Sequence, residues 1–288
     1  MRKKIKPIFV IAFFLFFTGL ILVTRGYAQS TSQDLTQPST TTGVLSTSSE
    51  VSSSTAAYSA SPVYIEDPLE MKPIIDVSGW QLPADMDYDV LAANISGVIV
   101  RVQSGSHTKK DNNASDKNGL DKSFKTHIKE FQARGIPVAV YAYVTGNSEK
   151  KMKAEAKTFY EAASPYHPTF YWLDVEEKTM DDMNAGVEAF RQELVDLGAK
   201  NIGIYIGTYF MEEHSISTEK FDSVWIPTYG NDSGYYDAAP NTNLDYDLHQ
   251  YTSRGYVNGF RHHLDLNLIT PLKEPNAVYQ KLFTVPEK

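Results

Sequence analysis

The stretch Tyr-Trp-Leu-Asp-Val-Glu-Glu-Lys, residues 171–178, ends an apolar run on two carboxylates, Asp174 and Glu176. In an extended chain successive side chains point to opposite faces. Asp174 and Glu176 therefore share one face with Trp172, and Tyr171, Leu173 and Val175 share the other. Burying carboxylates without partners is costly, so such a strand needs a polar mouth or a chemical use. Two other runs repeat the pattern. In Ile-Ile-Asp-Val-Ser (74–78), Asp76 and Ser78 lie opposite Ile75 and Val77; in His-Leu-Asp-Leu-Asn (263–267), Asp265 and Asn267 lie opposite Leu264 and Leu266. Acids gathered at one mouth shift each other's proton affinity, because like charges disfavour joint ionisation. One stays protonated while another stays ionised, the division of labour that glycosidic bond hydrolysis requires.

The aromatic content fits a sugar ligand: 18 Tyr, 14 Phe and 3 Trp. Tyr141 and Tyr143 share a strand face, and Tyr205, Trp225, Tyr229 and Tyr251 fall near other strand ends. An aromatic ring on a strand is more often core than platform. Other chemistries find less support. An Asp-x-Glu pair also suits a divalent cation, but no ordered ligand spacing and no His-Glu-x-x-His occurs, and adjacent His262 and His263 would point to opposite faces of a strand. No metal or cofactor is expected. There is no Gly-x-Ser-x-Gly elbow, no phosphate-binding loop and no cysteine, which argues against serine hydrolase, nucleotide and thiol chemistry.

The elements that must hold these residues follow from periodicity. Strands are expected at 73–79, 98–103, 137–144, 168–176 and 201–208, with helices at 87–94, 121–134, 148–163 and 179–197. Ser148 reads as an N-cap, and Thr179 with Asp182 as a capping box. Strands at 224–229, 248–252 and 264–267 follow, with no convincing helix between them. The α/β alternation predicts an irregular TIM-like barrel, five βα units followed by three strands. An open doubly wound sheet is the rival. In a barrel the first and last strands are neighbours, so Asp76, Asp174, Glu176 and Asp265 would converge at one mouth.

Residues 1–28 read as a signal peptide or membrane anchor. A basic start (Arg2, Lys3, Lys4, Lys6) precedes the apolar run Ile8–Val23, and Gly26-Tyr27-Ala28 offers a cleavage site. Residues 29–70 read as a Ser/Thr-rich disordered linker, with 18 Ser or Thr among positions 29–62. The catalytic barrel is expected over 71–275 and a tail over 276–288. Without residues 1–28 the chain keeps 22 basic and 35 acidic side chains, a net charge of −13, which disfavours nucleic acid and anionic membranes. Export without cysteines fits the surface of a Gram-positive bacterium.

Six motifs in order resemble glycoside hydrolase family 25, the bacterial and phage lysozymes. They are Ile-Asp-Val-Ser-Gly-Trp-Gln (75–81), Trp-Leu-Asp-Val-Glu (172–176), Gly-Ile-Tyr-Ile-Gly (203–207), Val-Trp-Ile-Pro-Thr-Tyr-Gly (224–230), His-Gln-Tyr-Thr (249–252) and Leu-Asp-Leu-Asn (264–267). The resemblance implies an irregular barrel that cleaves the β-1,4 bond after N-acetylmuramic acid in peptidoglycan. It implies Glu176 as proton donor, Asp174 as its partner, and Asp76 and Asp265 completing the cluster. Tyr141, Tyr143, Tyr205, Trp225, Tyr229, Gln250 and Tyr251 are expected to contact substrate. The partner is then the peptidoglycan glycan strand and the enzyme a monomer. Departures occur at Val100–Gly105, at Ala142 and at Pro227, and bear on subsite preference. A non-catalytic peptidoglycan binder and a glycosidase acting on N-acetylglucosamine bonds are the alternatives.

Overall fold

The computed structural model describes residues 66–68, 70–105 and 112–286. The expected signal or anchor, and nearly all of the expected linker, lie outside them.

Eight strands close into a barrel in sequence order. They are β1 (Ile74–Val77), β2 (Gly97–Gln103), β3 (Val138–Tyr143), β4 (Tyr171–Val175), β5 (Ile202–Ile206), β6 (Ser223–Pro227), β7 (Leu248–Gly255) and β8 (Leu264–Ile269). Helices α1 (Tyr88–Ala92), α2 (Phe124–Ala133), α3 (Glu149–Ala163), α4 (Met183–Asp196) and α5 (Thr208–Glu213) follow the first five strands in turn, and α6 (Pro275–Phe283) follows β8. The barrel with five βα units and three further strands is therefore present, and the open sheet is not. α5 was not legible as a periodic helix. At six residues it is too short to display a stripe.

Strands β1 to β7 are parallel, whereas β8 runs antiparallel to both β7 and β1. This reversal places the start of β8, and with it Asp265, level with the C-terminal ends of the other strands. Asp265 lies directly opposite Asp76 in the β1–β8 pairing.

Alternation sorts the side chains into two layers. Ile75, Val77, Leu173, Val175, Ile204, Ile206, Leu264 and Leu266 point out and pack on the helices, together with Ile128, Phe131, Met152, Phe159, Val187 and Phe190. Ile74, Ile99, Phe170, Trp172, Tyr205, Trp225, Leu248 and Ile269 fill the interior. Gly203 makes this filling possible: a Cβ there would lie 2.4 Å from the Trp172 ring. The expected tail at 276–288 needs correction. Val278, Leu282 and Phe283 of α6 are buried against the interior cluster and seal the base of the barrel. The capping box also needs correction. Asp182 alone caps α4, accepting from Ala185 N at 2.9 Å, while Thr179 Oγ1 donates to Gly146 O. Ser148 caps α3 as expected, accepting from Lys151 N.

Candidate active site

At the C-terminal ends of the strands, a cavity of ≈160 Å³ is lined by Asp76, Tyr141, Asp174, Glu176, Tyr205, Trp225, Tyr229, Gln250, Ser253 and Asp265. All four expected acids meet here. Each arrives by the same local rule: an inward position near the strand end, with outward neighbours committed to the helix layer.

The acids differ in setting. Asp76, Asp174 and Asp265 lie on strands, and Asp76 and Asp174 are buried. Glu176 stands one residue past the end of β4 and is exposed. Asp76 Oδ2 accepts two hydrogen bonds, from Gln250 Nε2 at 2.8 Å and Asn267 Nδ2 at 2.9 Å. Burial raises Asp76 to about 6, against these hydrogen bonds, which favour the carboxylate. Burial and the neighbouring Asp76 charge raise Asp265 to about 9. Burial, then the charge of Glu176, holds Asp174 well above the usual carboxylate range, while Arg101 acts the other way. Asp174 Oδ1 is buried without a hydrogen-bond partner.

A polar scaffold fixes Asp76. Tyr205 Oη donates to Gln250 Oε1 at 2.7 Å, and Tyr229 Oη donates to the same oxygen. Trp225 Nε1 donates to Asn267 Oδ1 at 2.8 Å, and Asn267 Nδ2 also reaches Ile74 O. Gln250 and Asn267 thus turn their amide N–H groups toward one carboxylate because aromatic donors occupy their oxygens. A second anchor holds the connection after β1. Asp121 Oδ2 accepts from Gly79 N at 2.6 Å and from Arg101 Nε at 3.2 Å. A third holds the loop after β3, where buried Glu155 accepts from Thr145 N and Gly146 N.

The expected substrate contacts fare unevenly. Tyr141, Tyr205, Trp225, Tyr229 and Gln250 line the cavity. Trp225 and Tyr205 are only 2% and 4% exposed, so they form its wall and leave little ring surface for a sugar. Tyr143 stands beside the cavity lining; burial, then the charges of Glu176, Asp174 and Glu177, pushes its hydroxyl up to about 12. Tyr251 is the exception. It follows inward Gln250, so it points out and packs against His249 and Tyr236. Asn267 and Arg101 went unassigned in the sequence. Their parity with Asp265 and Ile99 was the available signal, since inward polar residues on a barrel strand point to the mouth.

The chemistry available is acid/base catalysis by carboxyl groups of unequal setting: one exposed glutamate beside a buried aspartate whose proton affinity is raised, facing an aspartate held by two amides. The whole arrangement matches known proteins. The model for glycosyl hydrolases family 25 matches residues 75–260. A glycosyl hydrolase 25 of Streptococcus pneumoniae, a virulence factor participating in host cell invasion, is 61% identical, with a TM-score of 0.73 over 75% of this chain and 94% of that one. The catalytic domain of endolysin ply40, from bacteriophage P40 of Listeria monocytogenes, is 25% identical, with a TM-score of 0.63 over 74% and 97%. The bacterial lysozyme of Streptomyces coelicolor shares the fold at 16% identity, with a TM-score of 0.54 over 74% and 97%. The comparison with curated proteins gives no match. With the family model matching well over half of it and a 61% identical relative covered nearly end to end, this chain belongs to glycosyl hydrolase family 25.

Proposed function

We propose that the chain is an exported muramidase, hydrolysing the β-1,4 bond between N-acetylmuramic acid and N-acetylglucosamine in peptidoglycan by carboxylate acid/base catalysis. The observation that carries this reading is the contrast at one mouth: Glu176 is exposed where a sugar can reach it, and the aspartates around it are held in or behind the wall. The similarity to a phage endolysin supports peptidoglycan as substrate. The basic start and apolar run of residues 1–23 support export.

Glu176 is the proton donor to the leaving oxygen. Asp174 precedes it by two residues on the same strand face, and burial with the Glu176 charge favours its protonated form. Asp174 thereby tunes and positions Glu176. Asp76, fixed by Gln250 and Asn267 and lying opposite Asp265, is the carboxylate that stabilises positive charge developing on the sugar as the glycosidic bond breaks; water then adds to that carbon and gives a proton back to Glu176.

Glu176→Gln is expected to lower release of reducing ends from purified peptidoglycan by about 10²–10⁴-fold with the fold intact. Unchanged turnover would overturn the assignment. Mass spectrometry of the products identifies the bond: new reducing ends on muramic acid support a muramidase, and reducing ends on N-acetylglucosamine contradict it.

A further inference from the structure

The cavity among the acids, ≈160 Å³, is smaller than the roughly 300–1,000 Å³ of pockets that enclose a whole small-molecule ligand. A polymer that enters it must lie across the open face around it. Among the described residues the exposed aromatics are Trp80, Tyr209, Tyr235 and Tyr256, at 58%, 88%, 79% and 69% exposure. All four stand on connections that leave the C-terminal ends of strands. Trp80 follows β1, Tyr209 opens α5 after β5, Tyr235 lies between β6 and β7, and Tyr256 directly follows β7. The Tyr235 loop is tied to the mouth. Asp232 accepts from Ser253 N at 2.8 Å and from Ser253 Oγ at 2.7 Å, and Ser253 lines the acid cavity. Among the described residues the large exposed apolar residues on other parts of the surface are aliphatic: Val90 on α1, Val195 on α4, Leu272 after β8 and Val285 after α6.

We propose that Trp80, Tyr209, Tyr235 and Tyr256 form a rim that binds an extended glycan strand outside the cleavage cavity. This deepens the reading of the site as peptidoglycan-cleaving and rests on it. In barrel order β5, β6, β7, β8, β1, the four rings occupy one continuous side of the mouth. Large aromatic surface left in water on one face marks a contact surface. Tyr and Trp offer broad, rigid rings at low entropic cost, suited to the apolar faces of successive pyranose rings. Charge selects the occupant. With a net charge of −8 and four acids at the mouth, an anionic wall polymer is repelled and the uncharged backbone of a glycan is not.

Co-sedimentation with purified insoluble peptidoglycan tests this, using the full chain with Glu176→Gln so that nothing is consumed. Adding Trp80→Ala, Tyr209→Ala and Tyr235→Ala together is expected to weaken binding about tenfold or more, the effect of losing roughly 1.4 kcal/mol. Val195→Ser with Leu272→Ser, exposed but away from the mouth, should leave binding unchanged. Soluble, uncharged β-1,4-linked N-acetylglucosamine oligomers should compete for this binding. Undiminished binding by the rim variant overturns the proposal, as does an equal loss in the control or failure of the uncharged oligomers to compete. Circular dichroism of each variant confirms folding. The readout needs no turnover. A wild-type chain that binds through the rim but releases no reducing ends refutes the muramidase reading alone; one that cleaves while the rim variant binds normally refutes the rim alone.

Discussion

Gln250 and Asn267 meet at one oxygen of Asp76, and each is oriented by an aromatic donor behind it. Removing either amide removes a hydrogen bond that favours the carboxylate. Asn267→Ala is therefore expected to raise the Asp76 proton affinity further. The acidic limb of kcat/KM should move to higher pH, as pH–rate profiles would show. The same change strands Trp225 Nε1, an unpaired buried donor that costs about 1–3 kcal/mol, readable by urea unfolding. Alternation alone made Asp76, Asp174 and Asp265 legible, because each sits between outward aliphatic residues. The same rule shows why Tyr251 was misplaced: adjacent Gln250 and Tyr251 cannot both face inward. Depth was not legible. Trp225 and Tyr205 have the right parity, yet they sit low enough to be wall. The exposed rings at Trp80, Tyr209, Tyr235 and Tyr256 lie on loops and a helix start, where no period marks a face.

Among the elements, direction and closure were the hidden quantities. A strand's own pattern carries no sign of which way it runs, so the reversal of β8 could not be read from Leu264–Asn267. Were β8 parallel, Asp265 near its start would lie at the base, far from Asp174. α6 was hidden for another reason. Its apolar residues are few, and the surface they cover is the barrel's own floor. That floor is a stability determinant. Phe283→Ala is expected to destabilise the domain by about 3–5 kcal/mol, seen as a lower melting temperature, with turnover retained below it. Gly203→Ala should also destabilise, since the added methyl meets the Trp172 ring. An unchanged melting temperature in either would contradict the packing described.

For the whole molecule, the price of the mouth appears in the pH dependence of stability. Asp76 and Asp265 are raised above their ordinary 3.8, to about 6 and about 9. The folded chain keeps protons there that the unfolded chain releases, so by linkage this contribution is full below about pH 4 and is lost as pH rises toward 9. Asp247 acts at the other end. Despite its burial, hydrogen bonds from Lys273 and Lys281 hold it below the usual range, so its contribution is lost at low pH. Asp265→Asn is expected to gain melting temperature over the wild type, and the gain should grow from pH 6 to pH 9. A gain constant across that range would show that Asp265 does not carry the effect.

The reversal of β8 also decides how the domain is held. Because β8 descends, the chain leaves the barrel at the face by which it came in. Ser96 joins the two ends there, its Oγ donating to Lys72 O and its carbonyl accepting from Tyr279 Oη at 2.6 Å. The entry and the exit of the barrel therefore share its floor, on the side opposite the acids. The described start and close of the domain both stand clear of the opening over the acids, so long chains can cross that face without meeting either.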